Sequence, residues 1–250
     1  MNIVIFSRYP RFDKLAWKER TLRDLTAMGV KPVALIYGNT SLFDSFKWGM
    51  KTYGFKGTLK KIMGNNGNEM DIESKMFSRR ISKVAKELQI PVFYVRDHNS
   101  KKCIKILNKM QPDLILLWGT GIIRKRILDI PKIGTLNSHY AILPKIRGMD
   151  VTKWAILMGQ ETGITIHFVS PGVDMGDILH LQKFQIEKGD SLQSIRLKCQ
   201  ENTSSAFTKV ILKIKEIKHK PIRQDKDDGK QYFVMNHYLE KILIKKLENL

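Results

Sequence analysis

Cysteine is nearly absent. Cys103 and Cys199 are the only two in 250 residues. They form no CxxC pair and no metal-ligand spacing, so no metal is expected, and the simplest reading is two reduced thiols in a cytosolic protein, although a single disulfide stays open. No apolar run approaches the ~18 residues of a membrane span. The opening MNIVIFSRYPRF has an apolar run of four residues and no basic stretch before it; it reads as a buried first strand, not a signal peptide. No GxGxxG follows that strand. Ser7-Arg8-Tyr9-Pro10 stands there instead, which disfavours a nicotinamide-dinucleotide site. A Walker loop, a G-x-S-x-G elbow, internal repeats and low-complexity linkers are also missing.

Acid is scarce: 24 Asp and Glu face 44 Lys and Arg, a net charge of +20. Such a field attracts nucleic acid, membrane surfaces, nucleotides or polyglutamylated cofactors. The lysines are spread along the whole chain, and the densest run, Lys209 to Lys220, has a helical pattern with a solvated face. The charge reads equally well as a Lys-rich surface without a partner.

Apolar residues make up 42%, enough for one sizeable core. The first half alternates strand and helix signals. Strands are expected at Asn2–Ser7, Pro32–Tyr37, Pro91–Val95 and Asp113–Trp118, with helices at Ala16–Met28, from a cap at Asp71 to Leu88, and at Ser100–Met110. Residues 39–70 are the least legible. This alternation implies an α/β fold with a mostly parallel central sheet, whose ligands sit beyond the carboxyl ends of the strands. Further strands are expected at Gly134–His139, Thr165–Val169 and Ile178–Ile186. Asp190 is expected to cap a long helix to Lys218, and a last amphipathic helix runs from Tyr238 to Leu250. The division is a domain over 1–218 and a short, largely helical C-terminal extension over 219–250. The apolar stripe of the last helix suits packing on its own domain or on a second subunit in a homodimer.

The informative stretch is 134–182. Asn137 and His139 are two apart in a strand, so their side chains leave one face, at the carboxyl end where an open α/β sheet places its ligands. Asp174 lies in a turn between Gly172 and Gly176, where a backbone can approach a ligand closely. An amide, an imidazole and a carboxylate suit acyl transfer to an amine. Asn137 can donate to a developing oxyanion, a protonated His139 can stabilise it or protonate the leaving nitrogen, and Asp174 can accept a proton. A strand-end Asn and His are also common structural residues, and His167 and His180, each within a strand pattern, read as ordinary.

The same stretch resembles the 10-formyltetrahydrofolate-dependent formyltransferases. Four elements carry the resemblance: Asn137-Ser138-His139; Leu143-Pro144-Lys145-Ile146-Arg147-Gly148; Glu161-Thr162-Gly163-Ile164-Thr165; and Asp174-Met175-Gly176-Asp177-Ile178. The resemblance implies a Rossmann-like fold and places Asn137, His139 and Asp174 on the family's catalytic trio. It also implies that Gly121, Ile122, Ile123 and Arg124 hold the pterin ring of 10-formyltetrahydrofolate, with Ser170 and Val173 in a second folate loop.

Members acting on methionyl-tRNA usually carry an OB-type domain after the core, and only some thirty residues follow the long helix here. The resemblance therefore points to a nucleotide-linked amino sugar for surface polysaccharide or lipopolysaccharide synthesis, a cytoplasmic reaction, with nucleic acid disfavoured as a partner. Tyr140 is the candidate for lining the acceptor pocket, and Lys145 and Arg147 can meet a pyrophosphate. Arg147 can equally anchor its own loop, and Trp154 reads as core. The competing expectations are a methionyl-tRNA formyltransferase-like enzyme without the OB domain and a basic RNA-binding module on a formyltransferase scaffold.

Overall fold

The computed structural model describes residues 1–8, 16–38, 50 and 81–249. Its elements, in chain order, are β1 (Ile3–Arg8), α1 (Ala16–Ala27), β2 (Ala34–Gly38), α2 (Ile81–Glu87), β3 (Val92–Val95), α3 (Lys101–Met110), β4 (Leu114–Trp118), α4 (Lys125–Leu128), β5 (Gly134–His139), β6 (Ile146–Gly148), α5 (Val151–Leu157), β7 (Gly163–Phe168), β8 (Ile178–Lys183), α6 (Leu192–Lys215), β9 (Lys230–Tyr232) and α7 (His237–Glu248). Seven strands form one sheet in the order β3-β2-β1-β4-β5-β7-β8. The first five are parallel, and β7 and β8 are antiparallel. This is the expected α/β fold with a mostly parallel central sheet. The cap at Asp71 and the segment 39–70, Met50 aside, lie outside the described residues.

Burial on both sides explains the near-continuous apolar strands. Alternate residues leave opposite faces. Ile3, Ile5, Leu114, Leu116 and Leu136 pack with Leu22 and Leu25 of α1 and Phe207, Val210 and Ile211 of α6. Val4, Phe6, Ile115 and Leu117 pack on the other face with Cys103 and Leu107 of α3 and Ile127 of α4. Each fully buried Leu, Ile or Phe contributes about 2 kcal/mol of transfer free energy.

Helix ends correct one expectation. The long helix is capped by Ser191, whose Oγ accepts from Ser194 N at 3.1 Å. Asp190 instead accepts from Glu187 N, from Ser194 Oγ and from the Lys198 ammonium.

Residues 219–249 are built onto this body. Ile222 bridges to Ile178, β9 pairs in parallel with β6, and Met235, Leu243 and Leu247 pack on Ile156 and Ile195. This ribbon matters because β6 follows directly from the strand that carries Asn137 and His139.

Candidate active site

The alternation of β5 sorts its side chains. Leu136 joins the α1/α6 cluster, and Ser138 Oγ lies 2.8 Å from Thr203 Oγ1 of α6. Asn137 and His139 leave the opposite face. Over that face close the β7–β8 loop, anchored where Val169 N donates to Thr135 O at 2.7 Å, and the β6/β9 ribbon.

His139 is buried, 5% exposed. Its Nε2 stands 2.7 Å from Ile146 O, and a carbonyl only accepts, so that nitrogen carries a proton. Its Nδ1 faces Asp174 Oδ2 at 3.4 Å. Only a ring protonated on both nitrogens donates to both of these acceptors. The Nε2 proton is thus committed to Ile146 O, and Nδ1 is the ring atom that faces Asp174.

Asp174 reaches this position from a left-handed backbone, φ 51°. Its Oδ2 also accepts from Gly148 N at 2.8 Å, and its Oδ1 lies 3.7 Å from His167 Nε2. Glycine is required at two neighbours. Gly148 has φ 102°, and a Cβ there would collide with the Tyr232 carbonyl oxygen. A Cβ at Gly176 would collide with the Phe168 carbonyl oxygen. These contacts draw β6 against β9 and fold the Asp174 loop back over the sheet.

His167, read from sequence as ordinary, belongs to the cluster. It pairs directly across from Asn137 in the β5–β7 register. Its Nδ1 lies 2.8 Å from Phe168 O and therefore donates. Its Nε2 is then left to accept from Asn137 Nδ2 at 3.2 Å. Burial, and next the charge of His139, push its pKa down to about 4, so it is the neutral tautomer near pH 7. A neutral imidazole facing Asn137 fixes which end of that amide presents its donor. The available sequence signal was the alternation Thr165-x-His167; which strand lay opposite was not in it.

The remaining sequence candidates divide. Gly121, Ile122, Ile123 and Arg124 form the turn between β4 and α4. Ile123 packs into the α3/α4 cluster, as does Val169, so this turn and the β7–β8 loop adjoin on the Asn137 face. Ile122 is 85% exposed and Val173 46%, while Ser170 is half-buried. Asn99 holds the turn through Nδ2 to Ile122 O at 2.9 Å and Oδ1 from Arg124 N at 2.7 Å. Lys145 is exposed.

Two expectations are corrected. Tyr140 does not face the cleft. One residue past His139, it turns to the opposite side, packs against the α1/α6 cluster, and burial pushes its phenol up to about 12. Arg147 does not reach outward for a pyrophosphate. It is 4% exposed and donates through Nη2 to Lys226 O at 2.7 Å and Gly229 O at 2.6 Å, and through Nη1 to Met175 Sδ. Planar, multi-donor guanidinium geometry is used here to tie three loops. Trp154 packs among apolar side chains and donates Nε1–H to Phe233 O at 2.7 Å. Among the described residues no group of three or more His, Cys, Asp or Glu side chains could hold a metal. No described helix is long and apolar enough to cross a membrane.

A family model described as formyl transferase matches residues 30–211. The chain is 36% identical over 123 residues to the bifunctional polymyxin resistance protein ArnA of Wigglesworthia glossinidia brevipalpis, covering 48% of this chain and 19% of that one. It is 31% identical over 187 residues to the methionyl-tRNA formyltransferase of Prochlorococcus marinus strain MIT 9515, covering 70% of this chain and 57% of that one. It thus spans about half, or less, of the length of these curated relatives. Among solved structures, the formyltransferase PseJ from Anoxybacillus kamchatkensis, in complex with UDP-4,6-dideoxy-4-formamido-L-AltNAc and tetrahydrofolate, is 25% identical, with TM-score 0.55, covering 68% of this chain and 93% of that one.

Proposed function

This chain belongs to the formyl transferase family, and from that premise we propose that it moves a formyl group from 10-formyltetrahydrofolate to the primary amine of a nucleotide-linked amino sugar. The observation that carries the reaction type is the convergence of Asn137, His139 and Asp174 over one face of β5, with His139 Nδ1 3.4 Å from Asp174 Oδ2. The acceptor class is supported by the likeness to the Anoxybacillus enzyme over nearly all of that protein's length.

The donor suits the residues present. The adjoining turns carrying Gly121 to Arg124 and Ser170 to Val173 expose Ile122 and Val173, apolar edges fit for a flat ring system. 10-Formyltetrahydrofolate supplies the formyl carbon as a substrate. In the transfer a bond forms from the amine nitrogen to that carbon, the carbon–nitrogen bond to the folate breaks, and one proton passes from the amine to the departing nitrogen. Asn137, its amide held by neutral His167, donates to the carbonyl oxygen as charge builds there. His139, when protonated, stabilises the same charge through a low-dielectric path. Asp174, 17% exposed on its side chain, faces His139 and receives the amine proton. Lys145 meets the anionic nucleotide from the surface.

A second reading, methionyl-tRNA as acceptor, is favoured by the 31% identity to the Prochlorococcus enzyme and by the +20 charge. One experiment separates the two. The protein is incubated with 10-formyltetrahydrofolate and, in turn, UDP- and dTDP-linked amino sugars and methionyl-tRNA, with tetrahydrofolate release followed spectrophotometrically and the formamide identified by mass. An amino-sugar product with tRNA inert supports the proposal; the reverse moves the acceptor to tRNA. No turnover on any amine refutes formyl transfer.

A further inference from the structure

The C-terminal ribbon does more than close the fold. Gln224, just before the short 3-10 turn Lys226–Asp228, sends both N–H bonds of its Nε2 into the Asp174 loop, to Asp174 O at 3.1 Å and Gly176 O at 2.5 Å. Those two carbonyls flank the left-handed turn. Asp174 has φ 51°, a left-handed conformation that aspartate adopts at less cost than most residues with a side chain, and the loop is held from outside at both its side chain and its backbone. Gly148 N holds its carboxylate; Gln224 holds its backbone. The Gln224 Oε1 is buried with no hydrogen-bond partner, so the side chain is oriented by its donor end alone. Resting on the formyl-transfer reading above, we propose that Gln224 is a positioning residue, whose carboxamide N–H groups clamp the Asp174 turn so that the carboxylate stands between His139 and Gly148.

The test uses the full chain with Gln224→Met and Gln224→Glu. Methionine keeps length and bulk, loses both donors and relieves the orphaned Oε1; the two carbonyls left without a donor lower the melting temperature, so kinetics are read well below it, where the variant is folded. The proposal predicts a fall in kcat of roughly 10- to 100-fold, the range seen when a supporting contact behind a reactive group is lost, with KM for the amine acceptor unchanged. The glutamate variant faces the two carbonyls with an acceptor when ionised and with one O–H donor when protonated. Its activity relative to wild type is therefore expected to rise as pH is lowered. A role confined to folding would instead lower the melting temperature while leaving kcat of the folded protein at the wild-type value and that ratio flat with pH. An independent readout is amide hydrogen exchange at Gly148, whose N–H is bonded to the Asp174 carboxylate: protection there should drop in Gln224→Met. Wild-type kcat in Gln224→Met, or wild-type protection at Gly148, overturns the proposal. A wild-type protein without turnover sinks the reaction assignment alone, and the Gly148 exchange then decides the role of Gln224.

Discussion

His167 Nε2 accepts from Asn137 Nδ2 at 3.2 Å, across the antiparallel junction between β5 and β7. The pair joins the half-buried Asn137 amide to a buried, neutral imidazole. We expect His167→Ala to free the amide and lower kcat by about 10- to 100-fold, less than deletion of the amide itself. His167→Gln, which keeps an acceptor, should recover part of the loss. Steady-state kinetics on the three proteins checks this.

The same ring sets a pH dependence of stability. Its pKa is pushed down to about 4 in the fold, against about 6.5 in an unfolded chain. Between those values the unfolded state binds the proton and the folded state does not, so stability falls as pH drops from about 6.5 to about 4. His98, pushed below its ordinary value by burial, acts in the same direction. Urea denaturation at pH 7 and pH 5 should show the decline, and a smaller decline in His167→Gln. An equal decline in both proteins would place the proton elsewhere.

For the trio, Asn137→Ala, His139→Ala and Asp174→Ala are each expected to lower kcat by about 10²-fold or more, the scale of a lost oxyanion donor or general base. Asp174→Asn separates two duties: it keeps an oxygen for Gly148 N but removes the charge beside His139. Activity should fall as far as in Asp174→Ala, while melting temperature stays closer to wild type. Full activity in His139→Ala would refute the electrostatic role.

Arg147→Met should act through stability. It strips the donors from Lys226 O and Gly229 O and is expected to cost about 2–4 kcal/mol in denaturant unfolding. Arg147→Lys should recover little, since one ammonium cannot span the carbonyls and the sulfur that a guanidinium reaches. A rise in acceptor KM with unchanged stability would return Arg147 to the substrate site.

Cys103 and Cys199 are both fully buried, and burial pushes each thiol up to about 12. Neither should react with an aromatic disulfide reagent near neutral pH until the protein unfolds, and labelling should then track the denaturation curve.

Much of the fold was legible because its local signals agree. Apolar runs in strands buried on both faces and helical spacing between them gave the order of many elements, and β5 was delimited as Gly134–His139 from sequence and structure alike. Boundaries shifted where two cap residues compete: Asp190 and Ser191 are both good caps, and the choice fell to Ser191 because Lys198 and Glu187 N occupy the aspartate.

The sequence by itself determined that Asn137 and His139 share a face, because strand periodicity is a local property, and that glycines bracket Asp174. Only the tertiary structure decided what meets them. His167 joined the site through an antiparallel register that no local pattern encodes. Tyr140 left it because the strand turns its neighbours to opposite sides, and the α1/α6 core lies on its side. Arg147 and Gln224 became loop ties through contacts to residues 48 to 82 positions away along the chain. Periodicity places a side chain on a surface; long-range packing alone determines what that surface faces.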